Sequence, residues 1–206
     1  MSIVTYNNRS IANISAIPGA AESLTHIKTL TASSSSTLSF VDGSDDVVLD
    51  STYPIYLFKF INIHPATDGA NLSFQANASG GSGYNETITS TTFNAYHDEG
   101  DSGTALAYNT GLDQAQGTSF QNLGDNTGND NDQSVSGELH LFNPASTTFV
   151  KHFIASSNNY NASNYSTRLQ TAGYINTTSA IDEIQFKFSS GNIDAGTFKL
   201  YGIKDS

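Results

Sequence analysis

From Leu24 onward, apolar and polar residues alternate in short runs separated by Gly, Asn, Asp and Ser. A period of two is the mark of half-buried strands. It predicts strands at Leu24–Ala32, Thr37–Val41, Val47–Leu49, Ile55–Ile63, Leu72–Ala76 and Thr87–Tyr96, then at Ser134–Phe142, Thr147–Ser156, Thr167–Tyr174, Ile181–Phe188 and Gly196–Ile203. In Ile55–Ile63, Tyr56, Phe58 and Phe60 alternate with Ile55, Leu57, Ile61 and Ile63, and only Lys59 interrupts. Both faces are apolar, so this strand is expected to be central and covered on both sides. Val135, Leu139 and Leu141 share one face of their strand, and Phe149 and Phe153 alternate with Val150, His152 and Ile154. Only Thr104–Ala115, with Leu106, Ala107, Leu112 and Ala115, has spacing that suits a short helix. No strand–helix–strand rhythm and no tandem period occurs. The pattern predicts an all-β fold, an antiparallel β-sandwich of jelly-roll-like form, over residues 24–206. Residues 1–23 stand apart. Ile11, Ile14 and Ile17 recur every three residues before Pro18-Gly19. They read as a terminal strand covering one core edge, or as a short arm for subunit attachment; the arm is the reading carried forward.

Composition sharpens this. Of 206 residues, 28 are Ser, 22 Thr and 20 Asn, while only 13% are charged. Hydroxyls and amides favour strands, turns and caps over helix interiors. Twelve Phe and ten Tyr argue against disorder. Eight Lys and Arg stand against nineteen Asp and Glu, a net charge of −11. With so few scattered cations, a nucleic-acid partner is excluded, since phosphate neutralisation needs clustered Lys and Arg. No apolar run reaches the roughly 18–20 residues that span a bilayer, so no membrane partner is expected. The opening MSIVTYNNRS has no basic stretch leading into an apolar one, so no secretory signal is expected. The absence of Cys excludes disulfides, thiolate zinc sites and a Cys nucleophile.

Candidate chemistry is confined to loops. The polar stretches Ala78–Asn85, Asp98–Gly103 and Gly124–Gln133 are the natural place for recognition on a rigid sandwich. The densest oxygen cluster offers Asp125, Asp130 and Asp132 as Ca²⁺ ligands, although the spacing is not that of an EF-hand. Other carboxylates gather at Asp42–Asp50 and Asp98–Asp101. The five His fall in no zinc pattern, no Gly-x-Ser-x-Gly elbow occurs, and no catalytic residue is expected. No cofactor is expected beyond a possible Ca²⁺. Tyr84, Tyr96, Tyr108, Tyr160, Tyr165 and Tyr174 lie in or beside polar loops. A tyrosine ring can stack on a sugar while Asn and Asp take its hydroxyls, which makes Tyr84 and His97 candidate glycan contacts.

The C-terminal run Ile181–Phe188, followed by Gly191-Asn-Ile-Asp-Ala-Gly-Thr-Phe-Lys-Leu-Tyr-Gly-Ile203, has the pattern I-x-x-I-x-F…G-x-I-x-x-G-x-F-x-L-Y-G-I. It resembles the close of virion surface structural proteins of marine tailed phages, cyanophage-like ones above all. It reads as two adjacent strands: Ile184, Phe186 and Phe188 alternate on the first, Phe198 and Leu200 on the second, with Gly191 and Gly196 permitting the turn. The likeness extends to Asn8–Gly19, Tyr56–Pro65, Phe93–Gly103, Ser136–Ser146 and Phe149–Ala155. It implies a non-enzymatic bacteriophage protein: a capsid decoration, knob or head-fibre subunit of cement-like role, or alternatively a tail-fibre or adhesin module binding host surface glycans. The implied partners are the major capsid protein or other virion subunits, with homo-oligomerisation as a trimer. The implied location is the virion surface, after synthesis in the host cytoplasm. In seawater, where screening shrinks to a few Å, a surface of neutral hydroxyls and amides loses little by lacking ion pairs.

Overall fold

The computed structural model describes residues 23–204. Ile11, Ile14 and Ile17, with all of the predicted arm but Ser23, lie outside the described residues. Thirteen strands follow in order: β1 (Leu24–Thr31), β2 (Leu38–Val41), β3 (Ile55–Pro65), β4 (Leu72–Ala78), β5 (Ile88–Asp98), β6 (Thr104–Tyr108), β7 (Ala115–Gly117), β8 (Gln121–Asn122), β9 (Val135–Phe142), β10 (Lys151–Asn161), β11 (Tyr165–Ile175), β12 (Ile181–Phe188) and β13 (Ile193–Ile203). They form two antiparallel sheets of unequal size. The larger runs β1-β13-β3-β9-β10-β11-β5-β6, with β7 also on β5; the smaller runs β2-β12-β4-β8. The expected all-β sandwich is present.

Alternation sets which side chains meet between the layers. Tyr56, Phe58 and Phe60 of β3, Val135, Leu139 and Leu141 of β9, Phe153 of β10 and Phe198 and Leu200 of β13 are all buried. The smaller sheet answers with Phe40, Phe74, Ile184 and Phe186. Phe186 is the hub: its ring lies 4.7 Å from Phe198, 5.7 Å from Phe58, 6.3 Å from Phe40 and 6.5 Å from Phe74, centroid to centroid. β12 and β13 are therefore consecutive but unpaired, facing each other across the core from different sheets. Gly191 (φ +69°) lies in the turn between them. Gly196 (φ +115°) lies instead inside β13, where the register with β3 slips. A side chain there would run into Asn62 O and Ile63.

The interior has a second, polar half. The smaller sheet stops at β8, whose Gln121, together with Leu112, meets the inner face of β5 beside that of β11. Those faces carry hydroxyls and amides, not Phe. Thr92 and Thr171 hydroxyls meet at 3.2 Å, Ser90 Oγ donates to Gln121 Oε1 at 2.6 Å, and Gln121 Nε2 donates to Leu112 O at 2.8 Å. These pairings spare Ser90, Thr92, Gln121 and Thr171 the cost of lost hydration, whereas Gln114 Oε1 and Thr127 Oγ1 are buried without a partner among the described residues.

Three sequence expectations are corrected. Thr104–Ala115 is no helix; among the described residues there is none. β5 has an open ladder edge, and β6 fills it with Phe93 opposite Tyr108 and His97 opposite Thr104. Val47–Leu49 has no strand partner. A turn with Asp45 (φ +50°) and Asp46 (φ +65°) folds it over, and Val47 and Leu49 plug the core as a loop. β3 is central, but only one face is fully covered: Ile61 on the other is 40% exposed.

Candidate functional site

β5 ends at Asp98, β10 ends at Asn161 and β11 begins at Tyr165, so three strands finish together at one end of the larger sheet. The loops beyond them are fixed by their own short polar side chains. Asp98 accepts from Ser102 N (2.8 Å), Ser102 Oγ (2.6 Å) and Gly103 N (2.6 Å). These bonds hold its carboxyl below the usual carboxylate range, the Ser102 hydroxyl foremost. Glu99 N donates to Asn164 O at 3.0 Å, which joins the β5–β6 loop to the β10–β11 turn.

Beneath this end, between the sheet and the Asp125–Asn126 segment, lies a cleft of about 340 Å³. Its floor is the inner face of β5 and β11: Asn94, Tyr96, Tyr165 and Thr167. Its wall is Asp125, Asn126, Asn161 and Ser163. Tyr96 and Tyr165 meet edge to face at 5.2 Å. The wall is bound tightly to β10. Asn159 Nδ2 and Asn161 Nδ2 donate to Asp125 O at 2.8 and 3.2 Å, and Asn126 Nδ2 donates to Asn161 Oδ1 at 3.0 Å. Asn126 N donates to Asn71 Oδ1 at 2.7 Å. These bonds engage the backbone of Asp125 and leave its side chain free. Burial pushes the Asp125 carboxyl up, and among the described residues no hydrogen bond or cation opposes it.

A second cleft, of about 350 Å³, opens on the other side of Tyr165, lined by His97, Asp98, Glu99, Asn158, Asn159, Tyr160 and Ser166. His97 Nε2 lies 3.1 Å from Asp101 Oδ1 in an exposed pair, a contact worth little in water. The Tyr160 hydroxyl donates to Asn164 Oδ1 at 3.4 Å, and its phenol is pushed up by the nearby Glu99 carboxylate foremost, then by desolvation and by the charges of Asp132 and Asp130.

The predicted site residues separate. Asp125 lines the first cleft, whereas Asp132 lines a different hollow beside His64 and Asp194. Asp130 is exposed in a turn, its N–H donating to Gln133 Oε1 at 3.0 Å. The three proposed Ca²⁺ ligands therefore do not converge. Among the described residues no group of three or more His, Asp or Glu side chains is placed to hold a metal ion. The Asp42–Asp50 carboxylates close their own loop: Asp42 accepts from Leu49 N and Asp50 from Thr52 N, each at 2.8 Å. Tyr84 and His97 do not share a site either. Tyr84 precedes β5 and donates to Glu183 Oε2 at 2.6 Å on the smaller sheet. His97 is near the far end of β5, whose eleven residues span about 36 Å. Of the tyrosines beside polar loops, Tyr96, Tyr160 and Tyr165 come together at one end. Asn94, Asn159 and Asn161 are functional candidates that the sequence reading did not single out. Their signal was present: Asn159 and Asn161 continue the face of β10 that begins with Phe153 and Ala155, and an amide on an apolar face marks a polar interior.

Comparison of the chain with protein-family models, curated proteins and solved structures finds no match.

Proposed function

We propose that this chain is a non-enzymatic surface subunit of a tailed-phage particle. It acts as a capsid decoration, knob or head-fibre protein, held by residues before Leu24 to the major capsid protein or another virion subunit. The observation that carries the reading is the polarity of the body. Leu24 enters the larger sheet beside Ile203, Ile55 and Phe142, at the end opposite Asp98 and Tyr165. Attachment through residues 1–23 leaves the tyrosine-lined clefts facing away from the particle. The C-terminal pattern resembling phage virion proteins supports the same assignment. Copies join as a homo-oligomer, with a trimer proposed. Its contacts are supplied by the outer face of the larger sheet, where Ile61, Phe93 and Ile154 are 40–50% exposed.

The test is immunogold labelling or reconstruction of particles, together with a deletion of residues 1–20. The expected result is density or label on the capsid surface, and a deleted protein that stays soluble and rich in β structure but fails to incorporate. Label on the tail would favour the alternative reading, a tail-fibre or adhesin module binding host glycans. The clefts at the free end are the observation that favours that alternative. No label on particles, or normal incorporation of the deleted protein, overturns the attachment reading.

A further inference from the structure

We propose that the cleft between Asp125 and the end of β5–β11 binds a small neutral saccharide, and that its charge discriminates against anionic sugars. The inference rests on the outward orientation of this end argued above.

Its first support is unspent hydrogen-bonding capacity. Asn94 is 9% exposed and lines the cleft, yet no hydrogen bond engages its side chain among the described residues. The same holds for the Asp125 carboxylate, whose environment supplies desolvation and nothing to offset it. Asp125 is half-buried, and the polar atoms of both residues keep contact with solvent through the cleft, so their hydrogen-bonding capacity is open to a ligand. A ligand that brings donors and acceptors replaces the bonds to water, and one without them leaves both groups desolvated and unpaired. A carboxylate accepts two hydroxyls, and an amide donates and accepts in one plane. Together they match adjacent hydroxyls on a sugar ring.

The second support is the aromatic floor. Tyr96 and Tyr165 place ring surface beside these polar groups, so C–H faces and hydroxyls of one ligand are met together. The volume, about 340 Å³, falls in the range of small-molecule sites. The third is charge. Neither cleft beside Tyr165 is lined by Lys or Arg, while Asp98, Glu99 and Asp125 are present. A concave surface of one sign repels ligands of that sign, so a uronate, sialate or phosphorylated sugar is disfavoured. The site is preorganised, because the amides of Asn159 and Asn161 hold the Asp125 backbone before any ligand arrives.

The experiment is ligand-observed NMR and calorimetry on the full chain. The probes are methyl glucoside, methyl galactoside, methyl mannoside and N-acetylglucosamine, with glucuronic and sialic acids as anionic counterparts, each with and without EDTA. The expected result is saturable binding of at least one neutral sugar at concentrations up to about 10 mM, no detectable binding of the anionic ones, and no effect of EDTA. Asn94→Ala and Asp125→Asn each weaken binding about tenfold or more, while Tyr84→Phe, at the opposite end, leaves it unchanged. A thermal melt of each variant shows that it is folded. Binding of none of the neutral sugars, equal binding of glucuronic acid, loss of binding in EDTA, or affinity unchanged in both cleft variants overturns the inference. Particle labelling separates this from the function proposed above. A protein found on particles that binds no neutral sugar refutes the cleft alone. A sugar-binding protein absent from particles refutes the virion role alone.

Discussion

Replacing Phe186 by Ala tests the account of the core where it is most explicit. The ring is fully buried and touches four other phenylalanines from both sheets. Truncation removes the apolar area of the ring and leaves a cavity that cannot collapse, because its walls belong to two hydrogen-bonded sheets. Buried Phe→Ala changes cost about 3–5 kcal/mol. Against a total stability of about 5–15 kcal/mol, that is a large share. At about 2–4 °C per kcal/mol for a domain of this size, the melting temperature falls by about 6–20 °C. The chain has no Trp, so urea unfolding is followed by far-UV circular dichroism and tyrosine fluorescence. Phe186→Leu, which refills part of the volume, loses less. A double-mutant cycle with Phe198→Leu isolates the stacked pair, expected to contribute about 0.5–1.5 kcal/mol beyond its buried area. A Phe186→Ala loss below about 1 kcal/mol, far under the usual cost, with an unchanged denaturant slope would refute the claim that this ring joins the two sheets.

Other outcomes follow from the same geometry. In Gly173→Ala the new Cβ would stand 2.5 Å from Thr89 O and 2.8 Å from Phe153 Cζ; a loss of about 1–3 kcal/mol is expected in urea unfolding. Asn159→Ala removes the 2.8 Å bond to Asp125 O, lowering stability by about 1 kcal/mol and weakening sugar binding in the same calorimetric assay. Asp125→Asn separates stability from function. The folded state raises this carboxyl above its ordinary value, so its ionised form opposes folding at neutral pH. The variant therefore melts higher at pH 7, and the difference shrinks to nothing below about pH 3.8, where Asp is protonated folded or unfolded. A variant that melts lower at pH 7 would show that the carboxylate has a stabilising partner.

Much of the architecture was legible because it depends on a pattern of period two. Tyr56, Phe58 and Phe60, and Val135, Leu139 and Leu141, announce both their strands and their buried face. Val47–Leu49 and Thr104–Ala115 were not legible, because the deciding partners are remote. Val47 and Leu49 are apolar enough for a strand but find only a core end to fill. Leu106 and Ala107 have helical spacing but lie against the open edge of β5. The candidate site was half legible. Its tyrosines and Asp125 stand in recognisable polar loops, but the convergence of Asn94 and Asp125 arises from the pairing of β5 with β11 and the anchoring of Asp125 to β10. Nothing local in the chain encodes either. Grouping Tyr84 with His97 failed for the converse reason: thirteen residues apart in sequence, they are held apart by the length of β5.

The position of β13 bears on how the molecule is assembled in time. It lies between β1 and β3, and among the described residues β1 pairs with no other strand. As the chain leaves the ribosome, Leu24–Thr31 emerges long before Ile193–Ile203, yet it cannot form this pairing until Ile193–Ile203 has emerged. β3 meanwhile presents an unpaired edge, the kind of surface that invites pairing with another chain. Closing so long a loop is slow, as with any topology dominated by distant contacts. Folding is thus expected to finish only after synthesis has passed Ile203, which leaves a window in which nascent copies sharing one polysome can exchange strands.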